Sequence, residues 1–337
     1  MIQEAGTRTA VRRMMYSHTG WRRIGGKWCF LHGGGAIGAE DATVRLEYGF
    51  ERYNLSGLRE GPWAEMSRAE RLPLCMGAVL QLLRVAPLRL TIPLVGFMFL
   101  SPLREFLSAR GHRPSFIPFL RGGTGCGKSS IAALAMNLFG YDFSFESSQP
   151  ATFDDTASAI GLKLFALKDL PLLLDDYHPE SDARKARSMA AVAETVGRMI
   201  GDGMKRSRMR ADTTAQEDKP ARGLCIETGE ELPRISPSGV ARLYVIDVKP
   251  GDVPIPRPTG RVSKAEKDRI RWMTEVHKLA RQGALNEAMR GYIEWLADRA
   301  DRLPQELESQ YEAMHSEAME RVTQSHARIP TAVAYLM

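Results

Sequence analysis

Cysteine is scarce in this chain and dispersed. Cys29, Cys75, Cys126 and Cys225 are the four among 337 residues, and no two stand in a Cys-x-x-Cys spacing. Their scatter argues against a zinc site and fits a reducing compartment. No secretory leader is visible either, since the N-terminus is polar and arginine-bearing. There are no internal repeats and no low-complexity tracts. The most apolar run, Leu90 to Leu103, is interrupted by Pro93 and Pro102. It reads as too short to span a bilayer as one helix, so the expectation is a buried helix-turn segment, no membrane partner and a cytoplasmic protein. No large excess of one charge sign is present, and a formal net charge of +6 says little about partners by itself. Nor is there a G-x-S-x-G nucleophile elbow. His32-Gly-Gly-Gly35, a tetrapeptide type found in oxyanion holes, therefore reads as a glycine turn.

The chain is long enough for two or three domains. Residues 1–66 read as a β-rich region, with a hairpin from Gly20 to Leu31 turning at Gly25-Gly26. Residues 67–114 read as a helical connector whose apolar face carries Leu74, Ala78, Val79, Leu82 and Leu83. Residues 115–250 alternate strand-like and helix-like stretches, as a layered α/β core requires. Residues 251–262, with Pro254, Pro256 and Pro258 following Pro250, read as a proline-rich extended linker. A helical C-terminal domain, 263–337, opens at the capping box Ser263-Lys-Ala-Glu266, and a second helix starts at Leu303-Pro304 and runs to about Ala327.

The chemistry centres on Gly122-Gly-Thr-Gly-Cys-Gly-Lys-Ser129, which fits the phosphate-loop pattern G-x-x-x-x-G-K-[S/T]. Ser115 to Leu120 before it suits a buried strand, and Ser130 to Phe139 after it has helical spacing and stops at Gly140. In that context the N–H groups of Gly122, Gly123, Thr124, Gly125, Cys126, Gly127, Lys128, Ser129 and Ser130 can surround phosphate oxygens at a helix N-terminus. Lys128 would reach the β- and γ-phosphates of ATP, and the Ser129 hydroxyl would bind Mg²⁺. The competing reading is a solvated glycine turn.

A second element, Leu170-Pro-Leu-Leu-Leu-Asp-Asp176, is an apolar strand delivering two carboxylates to its C-terminal end, the ligand edge of a parallel sheet. Asp175 is the candidate Mg²⁺ partner, and Asp176 stands where ring ATPases carry a water-polarising glutamate. A third, Gly223 to Pro233, is a strand ending in polar residues, with Thr228 and Glu230 as candidates to orient water. Arg242, ahead of the strand Leu243–Val248, is a candidate arginine finger acting on a neighbouring subunit. The run Gly203 to Arg210 holds Lys205, Arg206, Arg208 and Arg210 with no acid and no aromatic among them. That suits salt-sensitive contacts with a phosphodiester backbone without base stacking, or else a solvated charge run.

Taken in order, His18-Thr-Gly-Trp21, Leu31-His-Gly-Gly-Gly-Ala-Ile-Gly38, Gly122–Ser129, Ala151-Thr-Phe-Asp-Asp-Thr156, Leu172-Leu-Leu-Asp-Asp176, Thr228-Gly-Glu230 and Ala241-Arg242 resemble a family of helicase-like ATPases of prophages and integrative elements. The resemblance covers residues 15 to 250. It implies an additional-strand, AAA+-like P-loop NTPase core of three layers, related to superfamily III helicases. The expectation that follows is a DNA helicase or translocase of a phage or mobile element. It would use ATP and Mg²⁺, contact single-stranded DNA, assemble as a hexameric ring and work with a separately supplied primase. A nucleotide-dependent loader or switch and a P-loop small-molecule kinase are the rival readings.

Overall fold

The structure is a computed structural model, and it describes residues 14–147, 149–178, 182–203, 219–255, 263–322, 326 and 328–337. Strand β1 (Met15–Tyr16) leads into β2 (Gly20–Ile24), β3 (Lys27–His32) and β4 (Gly35–Ile37), an antiparallel three-stranded sheet. Gly25 and Gly26 sit at φ 56° and 82°, the left-handed conformation that a two-residue hairpin turn requires. Strand β5 (Thr43–Val44) returns to pair in parallel with β1. The His32-Gly-Gly-Gly35 stretch is indeed a turn, between β3 and β4. The ring Nδ1 of His32 accepts from Gly34 N at 3.0 Å and Leu55 N at 3.2 Å, a role only an unprotonated nitrogen can fill. Burial, aided by the nearby Arg290 charge, lowers the His32 pKa to about 4. A Cβ on Gly33 would stand 2.6 Å from Glu51 O, and one on Gly34 2.3 Å from Asn54 Oδ1. The glycines therefore serve packing.

The hairpin is latched to the core through His18-Thr-Gly-Trp21. Thr19 N donates to Ala166 O at 3.0 Å and its hydroxyl to Lys168 O at 2.9 Å. Trp21 N donates to the buried Asp169 carboxylate at 3.0 Å, and its indole N–H to Pro102 O at 2.7 Å. Gly20, at φ 87°, lies so close that a Cβ would fall 2.4 Å from Lys168 O.

Helix α1 (Arg68–Leu82) opens with a complete capping box between Ser67 and Glu70. Then α2 (Leu88–Leu100), a 3₁₀ turn and α3 (Arg104–Ser108) run on without a break. The expectation of a span too short for a bilayer needs correction. Pro93 and Pro102 do not end the helical path, and Leu88–Ser108 is 21 residues, long and apolar enough by composition to cross a membrane. Its apolar window is 67% buried inside the molecule, where Leu90, Leu94, Phe97 and Met98 pack as core residues.

The second sheet has five parallel strands: β6 (Ile117–Arg121), β7 (Ala151–Thr152), β8 (Pro171–Tyr177), β9 (Leu224–Gly229) and β10 (Leu243–Asp247). Their order is β10-β6-β9-β8-β7. Strand β9 thus lies between the strand feeding the glycine loop and the strand carrying the acidic pair, as the additional-strand P-loop fold requires. Leu172, Leu173 and Leu174 of β8 are fully buried, each worth about 1.5–3 kcal/mol of transfer free energy. Helix α4 (Lys128–Met136) starts directly from the loop and packs on β8 and β9. Helices α5 (Ala157–Ala166), α6 (Ala183–Asp202) and the short α7 (Pro237–Val240) make the β-to-β crossovers, with α5 packed against α6 and α6 against α7.

Chain beyond β10 folds back onto the rest. Val253 and Pro254 are buried, and Val253 and Ile255 abut Gly127 of the loop. This part of the proline-rich stretch packs against the loop. Helices α8 (Lys264–Gln282), α9 (Ala284–Ala297), α10 (Leu303–Arg321) and α11 (Arg328–Leu336) follow. Ser263 caps α8 by accepting from Glu266 N at 3.2 Å. The buried Asn286 and Glu287 of α9 bind Gly57 N at 2.9 Å and Arg71 Nε at 3.1 Å, tying these helices to α1 and residues 54–58. Tyr335 of α11 stacks on Phe116 at the foot of β6.

Candidate nucleotide site

The loop between β6 and α4 is shaped by its glycines. Gly125 and Gly127 take φ 73° and 92°. A Cβ on Gly122 would meet Val248 O at 2.2 Å and one on Gly127 would meet Val253 at 2.6 Å, whereas a Cβ on Gly123 or Gly125 would meet nothing within 4 Å among the described residues. The outer residues are thus pinned by packing, and the middle of the loop borders open space. Lys128 is buried, and its Nζ donates to Gly122 O at 2.6 Å and Gly123 O at 3.1 Å. Both partners are neutral carbonyls, so the ammonium charge is solvated by dipoles rather than cancelled.

Parallel pairing brings the other candidates to the same edge. Ser129 Oγ donates to Asp175 Oδ1 at 2.7 Å. Thr228, fully buried, donates to the same oxygen at 2.5 Å and accepts from Asp176 N at 3.0 Å. Gly229 permits close approach of its neighbours, since a Cβ there would lie 2.6 Å from Phe119 and 2.9 Å from Tyr177. Glu230 Oε1 accepts from Thr124 Oγ1 at 2.5 Å, so it reaches the middle of the loop. Each residue of Thr228-Gly-Glu230 has a separate task here: orienting the acidic pair, letting three strands meet, and contacting the loop.

The two members of the acidic pair differ. Asp175 is buried at the loop. Asp176 has φ 68° at a register irregularity between β8 and β9, and its side chain is 58% exposed. Its Oδ2 lies 3.0 Å from His178 Nδ1. His178 escaped the sequence reading, although its spacing of two from Asp176 at a strand end is the signal for a shared side. Glu227, also missed, is a lone carboxyl in an apolar strand. It is 1% exposed, neither oxygen has a hydrogen-bond partner among the described residues, and burial raises its pKa to about 8.

Arg242 does not join this cluster. Its carbonyl accepts from Ile117 N at the start of β6, whereas the loop follows the end of that strand. Five residues of strand put about 16 Å between those levels. Its guanidinium is buried in its own chain, bonded to Asp202 Oδ1 and to Ser238 O, both at 2.5 Å. Asp202, the last residue of α6, is a partner that no spacing in the sequence announced. Lys205, Arg206, Arg208 and Arg210 lie outside the described residues.

The donors fit the groups that such a loop implies. Ser129 and Asp175 are hard oxygen donors in contact, suited to Mg²⁺, and the open glycine loop with its cation and helix N-terminus suits a polyphosphate.

No protein-family model matches the chain, and no curated protein matches it by sequence. Among solved structures, one described as "SCCmec type IV Cch - active helicase" superposes with a TM-score of 0.61 at 12% identity, over 99% of this chain and 57% of that one. The chain therefore spans little more than half of that protein's length. Two others, JCV helicase with a bound acetamide compound (TM-score 0.31, 12% identity, 76% of this chain and 74% of that) and the apo C-terminal region of NrS-1 (0.38, 13%, 92% and 64%), superpose too loosely to carry an argument. At this identity the first likeness concerns the fold. The chain has the P-loop fold of a chain described as a helicase.

Proposed function

We propose that the chain is an ATP-hydrolysing motor acting on DNA, as a helicase or translocase in the replication or mobilisation of a phage or other mobile element. The observation that carries this is the contact of Ser129 with Asp175 at the foot of an open glycine loop, with Thr228 braced between the acidic residues. Likeness in fold to a chain described as an active helicase supports the DNA-directed half.

ATP would lie along Gly122–Ser130, with Lys128 exchanging the Gly122 and Gly123 carbonyls for β- and γ-phosphate oxygens. Ser129 and Asp175 would hold Mg²⁺, which supplies charge neutralisation at those oxygens. Thr228 keeps Asp175 oriented and holds the backbone of Asp176. Glu230 touches the middle of the loop through Thr124, and it accepts the proton of the attacking water in this reading. Asp176, engaged by His178, has a positioning role. Arg242 can serve hydrolysis only in another copy's site, after releasing Asp202, which fits a homo-oligomer such as a hexameric ring. A separately supplied primase remains part of the proposal.

The test is the steady-state ATPase rate with and without single-stranded DNA, for the wild type and Lys128→Ala. The expected result is DNA-stimulated hydrolysis that the substitution lowers by about 100-fold or more, the scale of losing one preorganised charge contact. Lys128-dependent hydrolysis indifferent to DNA would replace the motor with the loader or kinase. Failure of the wild type to bind or hydrolyse ATP would overturn the reading.

A further inference from the structure

A group of cations that nucleotide chemistry does not use gathers at the edge of the sheet opposite the loop. Three segments converge there: strand β2, the turn before β8 and residues 219–222 before β9. The Arg222 guanidinium lies 3.7 Å from the centre of the Phe165 ring, and its Nε donates to Phe165 O at 2.9 Å. Lys219 Nζ stands 5.6 Å from the same ring. On β2, the exposed Arg22 lies over Tyr16 at 5.0 Å. Arg104 and Arg113 both donate to Ala221 O, at 2.9 and 3.0 Å. Lys168 is already engaged by Glu105 at 3.1 Å and by Trp21 O.

Among the described residues the local charge is unbalanced. Asp169, fully buried, and Glu105 are the carboxylates felt by Arg104 and Arg222, and Arg22 and Arg222 repel one another. His18, between β1 and β2, has its pKa lowered by burial and then by Arg222, Lys168 and Arg22. A fold that holds like charges together at its surface presents a potential that a polyanion relieves. Guanidinium groups lying on aromatic rings add planar surfaces on which unpaired bases can stack.

We propose that this edge, with Arg22, Lys219 and Arg222 around Phe165, is a contact surface for the backbone of single-stranded nucleic acid. It rests on the DNA-directed reading and gives it a location separate from the nucleotide site. The three cations make the phosphate contacts, and the Arg222–Phe165 pair favours a single strand over a duplex, whose bases are not free to stack.

Fluorescence anisotropy of a labelled 20-nucleotide oligothymidylate, titrated at several KCl concentrations, tests it with the full chain. For the variant Arg22→Gln/Lys219→Gln, the slope of log affinity against log salt should flatten by about 1.4, two contacts at about 0.7 each. Thermal unfolding checks that the variant is folded. In the wild type, saturating oligonucleotide should slow acylation of Lys219 and leave Lys27, at the hairpin tip, as reactive as before. An unchanged slope together with an unprotected Lys219 overturns the surface. If binding then depends on Lys205, Arg206, Arg208 and Arg210, replaced together by glutamine, the DNA-directed reading stands without this edge. If the wild type binds no oligonucleotide while Lys128-dependent hydrolysis persists, the surface and the DNA-directed half fall together and the nucleotide half survives.

Discussion

Replacing Glu227 by glutamine should flatten the pH dependence of stability above neutrality. The carboxyl sits inside β9 with both oxygens unpaired among the described residues, and burial raises its pKa from 4.5 to about 8. Between those values the folded chain keeps a proton that the unfolded chain has lost, so raising the pH favours unfolding. The slope is about 1.4 kcal/mol per pH unit. Asp169, raised to about 6 by burial, acts in the same direction but has finished by then. His32, lowered to about 4, acts in the opposite direction until the unfolded imidazole has lost its proton, about one pH unit above 6.5, as do His18 and His277. From pH 6.5 to 8 the histidines act alike in wild type and Glu227→Gln, so the wild type should lose about 1.5 kcal/mol of unfolding free energy relative to the variant. Glutamine keeps the shape and cannot ionise, so the wild-type curve should fall steadily relative to the variant's across that range. Urea titrations at pH 6.5, 7, 7.5 and 8 measure both. A difference between wild type and variant that stays constant over those pH values would refute the reasoning.

Thr228→Val keeps the side-chain shape but strands the N–H of Asp176 and removes a donor from Asp175. The expected cost is about 1–3 kcal/mol in urea unfolding together with loss of Mg²⁺-dependent hydrolysis, and Thr228→Ser should restore both. Gly20→Ala forces a Cβ against Lys168 O at a left-handed φ. It should lower the melting temperature and open residues 14–32 to proteolysis, and a variant as resistant as wild type would contradict the latch. Asp202→Ala leaves the buried Arg242 guanidinium without its carboxylate. It should cost about 1–3 kcal/mol, and adding Arg242→Met should recover part of that loss in the same denaturation assay.

By itself the sequence determined the elements that chemistry needs. The loop Gly122–Ser129, the acidic pair after Leu172-Leu-Leu and the hairpin at Gly25-Gly26 were legible because each rests on local backbone rules: glycine for left-handed or crowded positions, and buried apolar runs for central strands. Helix ends were read less well, and α4 stops at Met136 rather than Phe139. Pro93 and Pro102 did not break the helical path, because packing on the core compensates for what each proline removes. Tertiary structure alone decided that β9 enters between β6 and β8. That insertion brings Thr228 onto Asp175 across 53 residues of chain and Glu230 onto Thr124 across 106. It also decided that Arg242 is tied to Asp202, that Asp176 turns toward His178, and that α9 closes on residues 54–58. Contacts over such separations depend on strand order and sheet edge, which emerge from the packing of the whole chain rather than from the pattern of any one segment.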